Sequence, residues 1–325
     1  MAQAIMLREH GGPEVLRAEP VVVGPPGPGE IRLRQTAIGV NFHDIYVRTG
    51  LYKTLPLPGT PGIEGVGVVE AVGAGTPGLS VGDRIAYVSS AYGAYASHRL
   101  LPANLALRIP PGISDAAIAS SLVRGLTVQM LTGEVHKLRR GDTILVHAAA
   151  SGVGRQLAEW ANHLGATVIG TVGSPDRVDI ARKAGCREVI LYREERFETR
   201  VREITSGRGV SVVYDSVGKD TFSGSLESLA VRGHLVNFGQ SSGAVGPFEV
   251  SRLAARSNTV SRPILFHYIA EREQLEALAK PFLDALASGI VTSPAPTLFA
   301  LADAAAAHRE LAARTVHRPV VMVPE

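Results

Sequence analysis

The chain has 325 residues, of which 45% are hydrophobic and 19% charged, with a formal net charge of +3. That balance describes a well-packed globular protein of one or two domains and excludes a disordered chain; the mild positive charge fits an anionic ligand such as a nucleotide without calling for nucleic acid. A single cysteine, Cys186, excludes an intrachain disulfide and any zinc site that takes two thiolates from one chain, and it suits a reducing cytoplasm.

The first residues, MAQAIMLREHGGPEVL, have no continuous apolar core and no small-residue cleavage site, so no secretory signal is expected. No run approaches the roughly 18 apolar residues of a membrane span. From Met1 to about Leu122 the pattern is one of short strands broken by turns. PGPGEIRLRQTAIGV alternates Ile31 and Leu33 with charge, the period of a half-buried strand. GIEGVGVVEAVGAG and VGDRIAYVSS follow, each bounded by Gly or Pro.

The pattern changes near Arg124. DTILVHAA is a compact apolar strand, and Val153, Leu157, Ala161 and Leu164 then fall on one helix face, with Gly165 as the stop. ATVIGTV is a second strand, and SPDR opens a helix with Ser174 as N-cap, Pro175 in the first position and Gly185 at the end. EVILYR, a charged helix from about Glu194 to Ser206, VSVVYDSV, a helix from about Asp220, and HLVNFG continue the alternation. Strands alternating with helices of this length predict a parallel sheet covered on both faces. After Arg262, helices around Arg272–Ser288 and Ala300–Ala313 precede a terminal strand, RPVVMVP, which could rejoin the first domain.

Between the first strand and helix of the alternating half lies HAAASGVG, His147 to Gly154. A helix N-terminus behind a small-residue loop presents backbone N–H groups and a dipole to a pyrophosphate. Aligned on the last glycine of G-x-G-x-x-G, the chain offers Ala149, Ser151 and Gly154, so only that glycine matches. The preceding strand and following helix supply the context the motif requires; the competing reading is a turn that merely allows close helix–sheet packing. NAD enzymes place a carboxylate at the end of the next strand to hold the ribose 2′-OH. Here ATVIGTV runs into Gly173 and Ser174, and Arg177 lies within reach of a 2′-phosphate. Asp176 reads as a carboxylate favoured by the helix N-terminus rather than as a ribose contact. NADPH is the expected cofactor.

One stretch, GVNFHDIYVRTGLY, sets His43 beside Asp44 and looks like a fragment of a metal site. Two adjacent ligands on a short loop fall short of the three that a catalytic zinc site takes from its protein, so no metal is expected.

GVNFHDIYVRTGLY, GTPGIEGVGVVEAVG, GLTVQML, HAAASGVG, GTVGS, VVYDSVG and NFGQSSG occur in the order and spacing of the zinc-independent quinone oxidoreductases, the ζ-crystallin-like branch of the medium-chain dehydrogenase/reductase superfamily. The chain resembles that family over essentially its whole length. The resemblance implies an α/β fold: a GroES-like β-barrel catalytic domain over residues 1–123 and 267–325, a doubly wound Rossmann domain over 124–266, NADPH as cofactor and a homodimer. In the zinc-dependent relatives a Cys stands at the position of Asn41 and a His at that of Ile63, and neither Asn nor Ile is a normal zinc ligand.

The resemblance also implies site residues. Asn41, Tyr46, Tyr52 and Thr127 are the expected catalytic set, around a nicotinamide and substrate cleft. Asn41, Asp44, Thr127, Gly152, Val153, Gly173, Ser174, Arg177, Tyr192, Phe238 and Ser241 are the expected cofactor contacts. Arg177 replaces the family's common lysine, and the variable segment 316–319 leaves Arg318 without an assigned contact. A quinone becomes aromatic on reduction and needs less help than a ketone, so positioning and hydrogen-bond donors near the developing oxyanion would supply the catalysis. Tyr46 and Tyr52 read equally as packing residues, Asn41 also reads as a turn cap, and His43 is the residue of this stretch least expected to matter. Reduction of α,β-unsaturated carbonyls is the rival activity, and a non-enzymatic nucleotide- or RNA-binding role a further one. No nucleic-acid partner is expected: Arg200, Arg202 and Arg208 read as a solvated helix face.

Overall fold

The computed structural model of the chain describes residues 1–313 and 318–324. They divide into two compact units, Met1–Val123 with Ala270–Ala287 and Ser293–Glu325, and Arg124–Ile269 with Ser288–Thr292. The expected boundary at 266/267 therefore shifts to Ile269, and a short piece of the tail joins the second unit. Glu159 causes this, accepting from the backbone N–H of Thr292 at 2.8 Å and from its hydroxyl at 2.6 Å.

In the first unit, β1 (Ala2–Leu7) pairs antiparallel with β2 (Leu16–Val21). β3 (Glu30–Val40) alternates buried Ile31, Leu33, Gln35 and Ala37 with more exposed residues, as its period demands, and is buried throughout its last four residues. It leads into α1 (Phe42–Arg48). β4 (Glu64–Val72) and β6 (His98–Pro102) flank β3 antiparallel, with β5 (Arg84–Val88) and β7 (Leu107–Arg108) outside β4. α2 (Asp115–Ala119) crosses β3 closely: a Cβ on Gly39 would stand 2.1 Å from the Ala119 carbonyl oxygen, so glycine is required there. The division between units falls inside α3 (Leu122–Gln129).

The second unit repeats strand and helix: β8 (Thr143–Val146), α4 (Gly152–His163), β9 (Thr167–Val172), α5 (Val178–Lys183), β10 (Cys186–Leu191), α6 (Phe197–Ile204), β11 (Val210–Asp215), α7 (Phe222–Ser228), β12 (Leu229–Asn237) and β13 (Thr259–Ser261). All pairings are parallel, in the order β10-β9-β8-β11-β12-β13. This is the strand order of a doubly wound dinucleotide fold, with its direction reversal between β8 and β11. Leu145, Ile169, Ile190, Val213 and Leu235, one from each of the five longer strands, pack with Phe197, Val201, Phe222 and Leu226 in the core.

Two local expectations are corrected. Ser174 holds the N-cap position with Pro175 first, as expected, but Pro175–Arg177 form a 3-10 turn without a cap bond from the Ser174 side chain, and α5 starts only at Val178; the Arg177 N–H is satisfied by the Ser174 carbonyl at 3.2 Å. Arg202 does more than lie on a solvated face: its half-buried guanidinium donates to the carbonyls of Gly207 at 2.8 Å and Leu229 at 2.7 Å, tying α6 to the loop after it and to the start of β12.

The tail returns to the first unit as α8 (Arg272–Ala287), β14 (Thr297–Ala300), α9 (Ala304–Ala313) and β15 (Val320–Val323). β15 pairs antiparallel with the end of β3 and completes the seven-stranded sheet. Val316 and His317 lie outside the described residues; Arg318 is exposed. Among the described residues no helix is long and apolar enough to cross a membrane.

Candidate active site

The carboxyl ends of the parallel strands collect eight expected cofactor residues along one edge of the second unit. Gly152 and Val153 follow β8, Gly173, Ser174 and Arg177 follow β9, Tyr192 follows β10, and Phe238 and Ser241 follow β12. The loop after β8 turns through Ala148, whose φ of 52° is the left-handed region, and Ser151 then caps α4 by accepting from the Gly154 N–H at 3.2 Å. That explains the departure from the glycine pattern, since the position aligned with the second glycine is an N-cap. Gly154 is required: a Cβ there would stand 2.2 Å from the Ala148 carbonyl oxygen. A Cβ on Gly152 would stand 2.7 Å from Nε of Arg124, so a guanidinium lies against the head of α4, a cation the sequence reading overlooked. The end of β9 carries no carboxylate before Asp176, and the ring of Tyr192 approaches Gly173 to within contact distance of an added Cβ, 3.4 Å. After β12 the chain is latched, with the Phe238 N–H on the Asp215 carbonyl at 2.9 Å and the Ser241 N–H on that of Ser216 at 3.2 Å.

Beneath these loops runs a buried polar network also absent from the sequence reading. His147, 0% exposed, meets the Thr171 hydroxyl through Nδ1 and the Ser225 hydroxyl through Nε2, both at 2.9 Å. Asp215 accepts from the Thr221 hydroxyl at 2.9 Å, from the N–H groups of Val217 and Gly218 at 2.8 and 3.0 Å, and from Ser225 at 3.4 Å. Burial pushes the His147 imidazole below its ordinary pKa, with Asp215 opposing, so the ring is neutral; it links the turn after β8 to β9 and α7, and through Ser225 to Asp215 at the end of β11. Such a loop set suits a dinucleotide: a capped helix head with a guanidinium against it, over a hydrogen-bonded polar floor.

In the first unit the residues of interest gather at the head of α1. Asn41 Nδ2 donates to Glu64 Oε1 at 2.6 Å, and Glu64 Oε2 accepts from the Val123 N–H at 2.8 Å. Tyr46 and Tyr52 are half-buried, with ring centroids 5.2 Å apart, and the Tyr52 N–H donates to the Tyr46 carbonyl at 3.0 Å. His43 stands in the middle of this aromatic group, 5.5 Å from the Tyr52 ring and 5.9 Å from that of Tyr92, with Nε2 3.1 Å from the Tyr92 hydroxyl. Burial lowers its pKa to about 4, which keeps it neutral. The residue expected to matter least is thus central to the cluster. Asp44 turns the other way and is 0% exposed, so its carboxylate offers no atom to a ligand. Thr127, half-buried on α3, belongs to the second unit.

Residues 27–111 match the alcohol dehydrogenase GroES-like domain family and 152–281 the zinc-binding dehydrogenase family. The quinone oxidoreductase of Pseudomonas aeruginosa is 43% identical over 325 residues, covering 100% of both chains. The chain belongs to the quinone oxidoreductase family. The 2-haloacrylate reductase of a Burkholderia species, 41% identical and again covering 100% of both chains, is similar as well. The crystal structure of the Escherichia coli quinone oxidoreductase complexed with NADPH superposes with a TM-score of 0.95 at 41% identity, covering 99% of this chain and 100% of that one.

The zinc in one family description does not fit these residues. Asn41 has its amide on Glu64, Ile63 is an apolar side chain 2% exposed, and no group of three or more His, Cys, Asp or Glu among the described residues could hold a metal ion. A quinone oxidoreductase of this build has instead a dinucleotide edge in one unit and a polar and aromatic helix head in the other.

Proposed function

We propose that the protein reduces quinones with NADPH and without a metal ion, the second unit serving as the NADPH-binding domain and the first as the catalytic domain. The observation that carries this reading is the head of α1, where Asn41, at the position the resemblance gives to a zinc-ligating Cys, has its amide on the Glu64 carboxylate beside a cluster of aromatic rings. Bound NADPH would supply a hydride, which with one proton from solvent converts a quinone to its hydroquinone. The chain's residues provide the rest. Gly152 and Val153 offer backbone N–H groups, Arg124 a nearby positive charge, and Arg177, with Ser174 and Tyr192 beside it, the 2′-phosphate contact. Phe238 and Ser241 close the same edge, and Gly173 keeps the strand end free of a side chain. In the first unit the second Nδ2 hydrogen of Asn41 and the hydroxyls of Tyr46 and Tyr52 are the proposed donors, and in the second unit the Thr127 hydroxyl is.

Full-length similarity to a 2-haloacrylate reductase supports a second reading, reduction of an activated carbon–carbon double bond by the same hydride. Purified, chelator-treated protein given NADPH or NADH with 1,4-benzoquinone, a larger quinone, an enone and 2-chloroacrylate separates the two. NADPH oxidation with the quinones is expected; turnover of the alkenes alone would replace the first reading by the second, and none with any acceptor would remove both. A cytoplasmic homodimer is part of the proposal, checked by light scattering of the purified protein.

A further inference from the structure

Asp44 is buried three residues after Asn41 and two before Tyr46, and its partners arrive from distant parts of the first unit. Asp44 Oδ2 accepts from the Asn41 backbone N–H at 2.8 Å and from the Tyr95 hydroxyl at 3.0 Å. The same hydroxyl lies 2.9 Å from Nε2 of His308 on α9, and Nδ1 of His308 lies 3.4 Å from Nη1 of Arg48. A guanidinium only donates, so Nδ1 accepts, Nε2 carries the imidazole proton and donates to Tyr95, and the Tyr95 hydrogen is left for Asp44. The direction of the whole chain follows from Arg48, and its acceptor is the carboxylate. Asp44 Oδ1 has no hydrogen-bond partner among the described residues.

We propose that Asp44, Tyr95 and His308 are positioning residues for the reduction: the ionised carboxylate, oriented by Tyr95 and through it by His308, fixes the Asn41 backbone and with it the amide that faces the substrate. The inference rests on assigning Asn41 to the substrate side. Protonation of Asp44 weakens both bonds it accepts, because they lose their charge assistance. Burial raises the carboxyl to about 7, Glu64 adds to the rise, and the hydrogen bonds from Asn41 and Tyr95 oppose it. The other titratable and charged groups facing the chain are Tyr92, beside Asp44, and Glu14, beside Arg48; burial and Arg48 together hold His308 down to about 3, so it stays neutral.

The test is the pH profile of quinone reduction at saturating NADPH. Wild-type kcat should rise with pH through an acid limb near 7. Tyr95→Phe removes a bond that holds the carboxyl down, so kcat should fall about tenfold with KM for NADPH unchanged, and the limb should move to higher pH. His308→Leu should behave likewise, whereas His308→Gln, which keeps an acceptor for Arg48 and a donor for Tyr95, should stay close to wild type. Asp44→Asn should lose the limb. A limb that stays in place while kcat falls at every pH, or His308→Leu and His308→Gln behaving alike, would overturn the proposal. Should wild type turn over no quinone, the functional reading fails by itself, and the chain is judged by amide exchange of Asn41: slow in wild type and faster in Tyr95→Phe supports it, equal rates overturn it.

Discussion

On the proposed reading Arg177 decides between the two nicotinamide cofactors, since the strand before it ends without the carboxylate that a ribose 2′-OH would require. Arg177→Ala is expected to raise KM for NADPH by about ten- to a hundredfold, the worth of one charge-assisted hydrogen bond, and to leave KM for NADH nearly unchanged; steady-state kinetics with both cofactors checks this. At the same scale, His43 and Asp44 show what a sequence can and cannot reveal. Their adjacency is visible, and too few ligands argue against a metal. Their different fates are not visible, because the groups that settle them arrive from elsewhere. Tyr95 reaches Asp44 across 51 positions, and His308 reaches Tyr95 across 213. Adjacent residues at the head of a helix point about a quarter-turn apart, so one joins an aromatic cluster while the other is buried beneath it.

The loop from β8 to α4 illustrates the same contrast for an element. Its strand–loop–helix character is legible, since periodicity and small residues are local signals. Its floor is not, because His147, Thr171, Asp215 and Ser225 come from a turn, two strands and a helix, and no spacing pattern joins them. His147→Leu leaves the hydroxyls of Thr171 and Ser225 short of a buried partner, at a cost of about 1–3 kcal/mol each; a lower Tm and a higher KM for NADPH are expected. Gly154→Ala drives a methyl into the Ala148 carbonyl and should cost about 1–3 kcal/mol of stability by forcing the loop apart, with NADPH affinity measured by fluorescence falling in parallel. Arg124, packed on Gly152, would have been hard to find from sequence, because it precedes β8 by almost 20 positions.

Over the whole molecule, the alternating half was readable in chain order because each βαβ unit is a local event. The return of β15 to β3 rested on no more than a terminal apolar strand, since a pairing across the length of the chain leaves no periodic mark. The buried titratable groups give stability a pH dependence with two opposing parts. His43 and His234 lie near 4 and His308 near 3, against an ordinary 6.5, so the unfolded chain takes up protons first and stability falls as pH drops below 6.5. Asp44 has the reverse sign: the folded state keeps its proton from 3.8 up to about 7, so its contribution is lost as pH rises through that range. The Tm should therefore rise from the acid side toward 6.5 with a slope that Asp44→Asn makes steeper, read by thermal melts across pH. The most direct measurement for the protein as a whole is NADPH consumption with 1,4-benzoquinone before and after exhaustive chelation. Turnover that chelation leaves unchanged and zinc does not increase is the expected result. Activity that disappears with the chelator and returns with zinc would contradict a metal-free reduction carried by the head of α1.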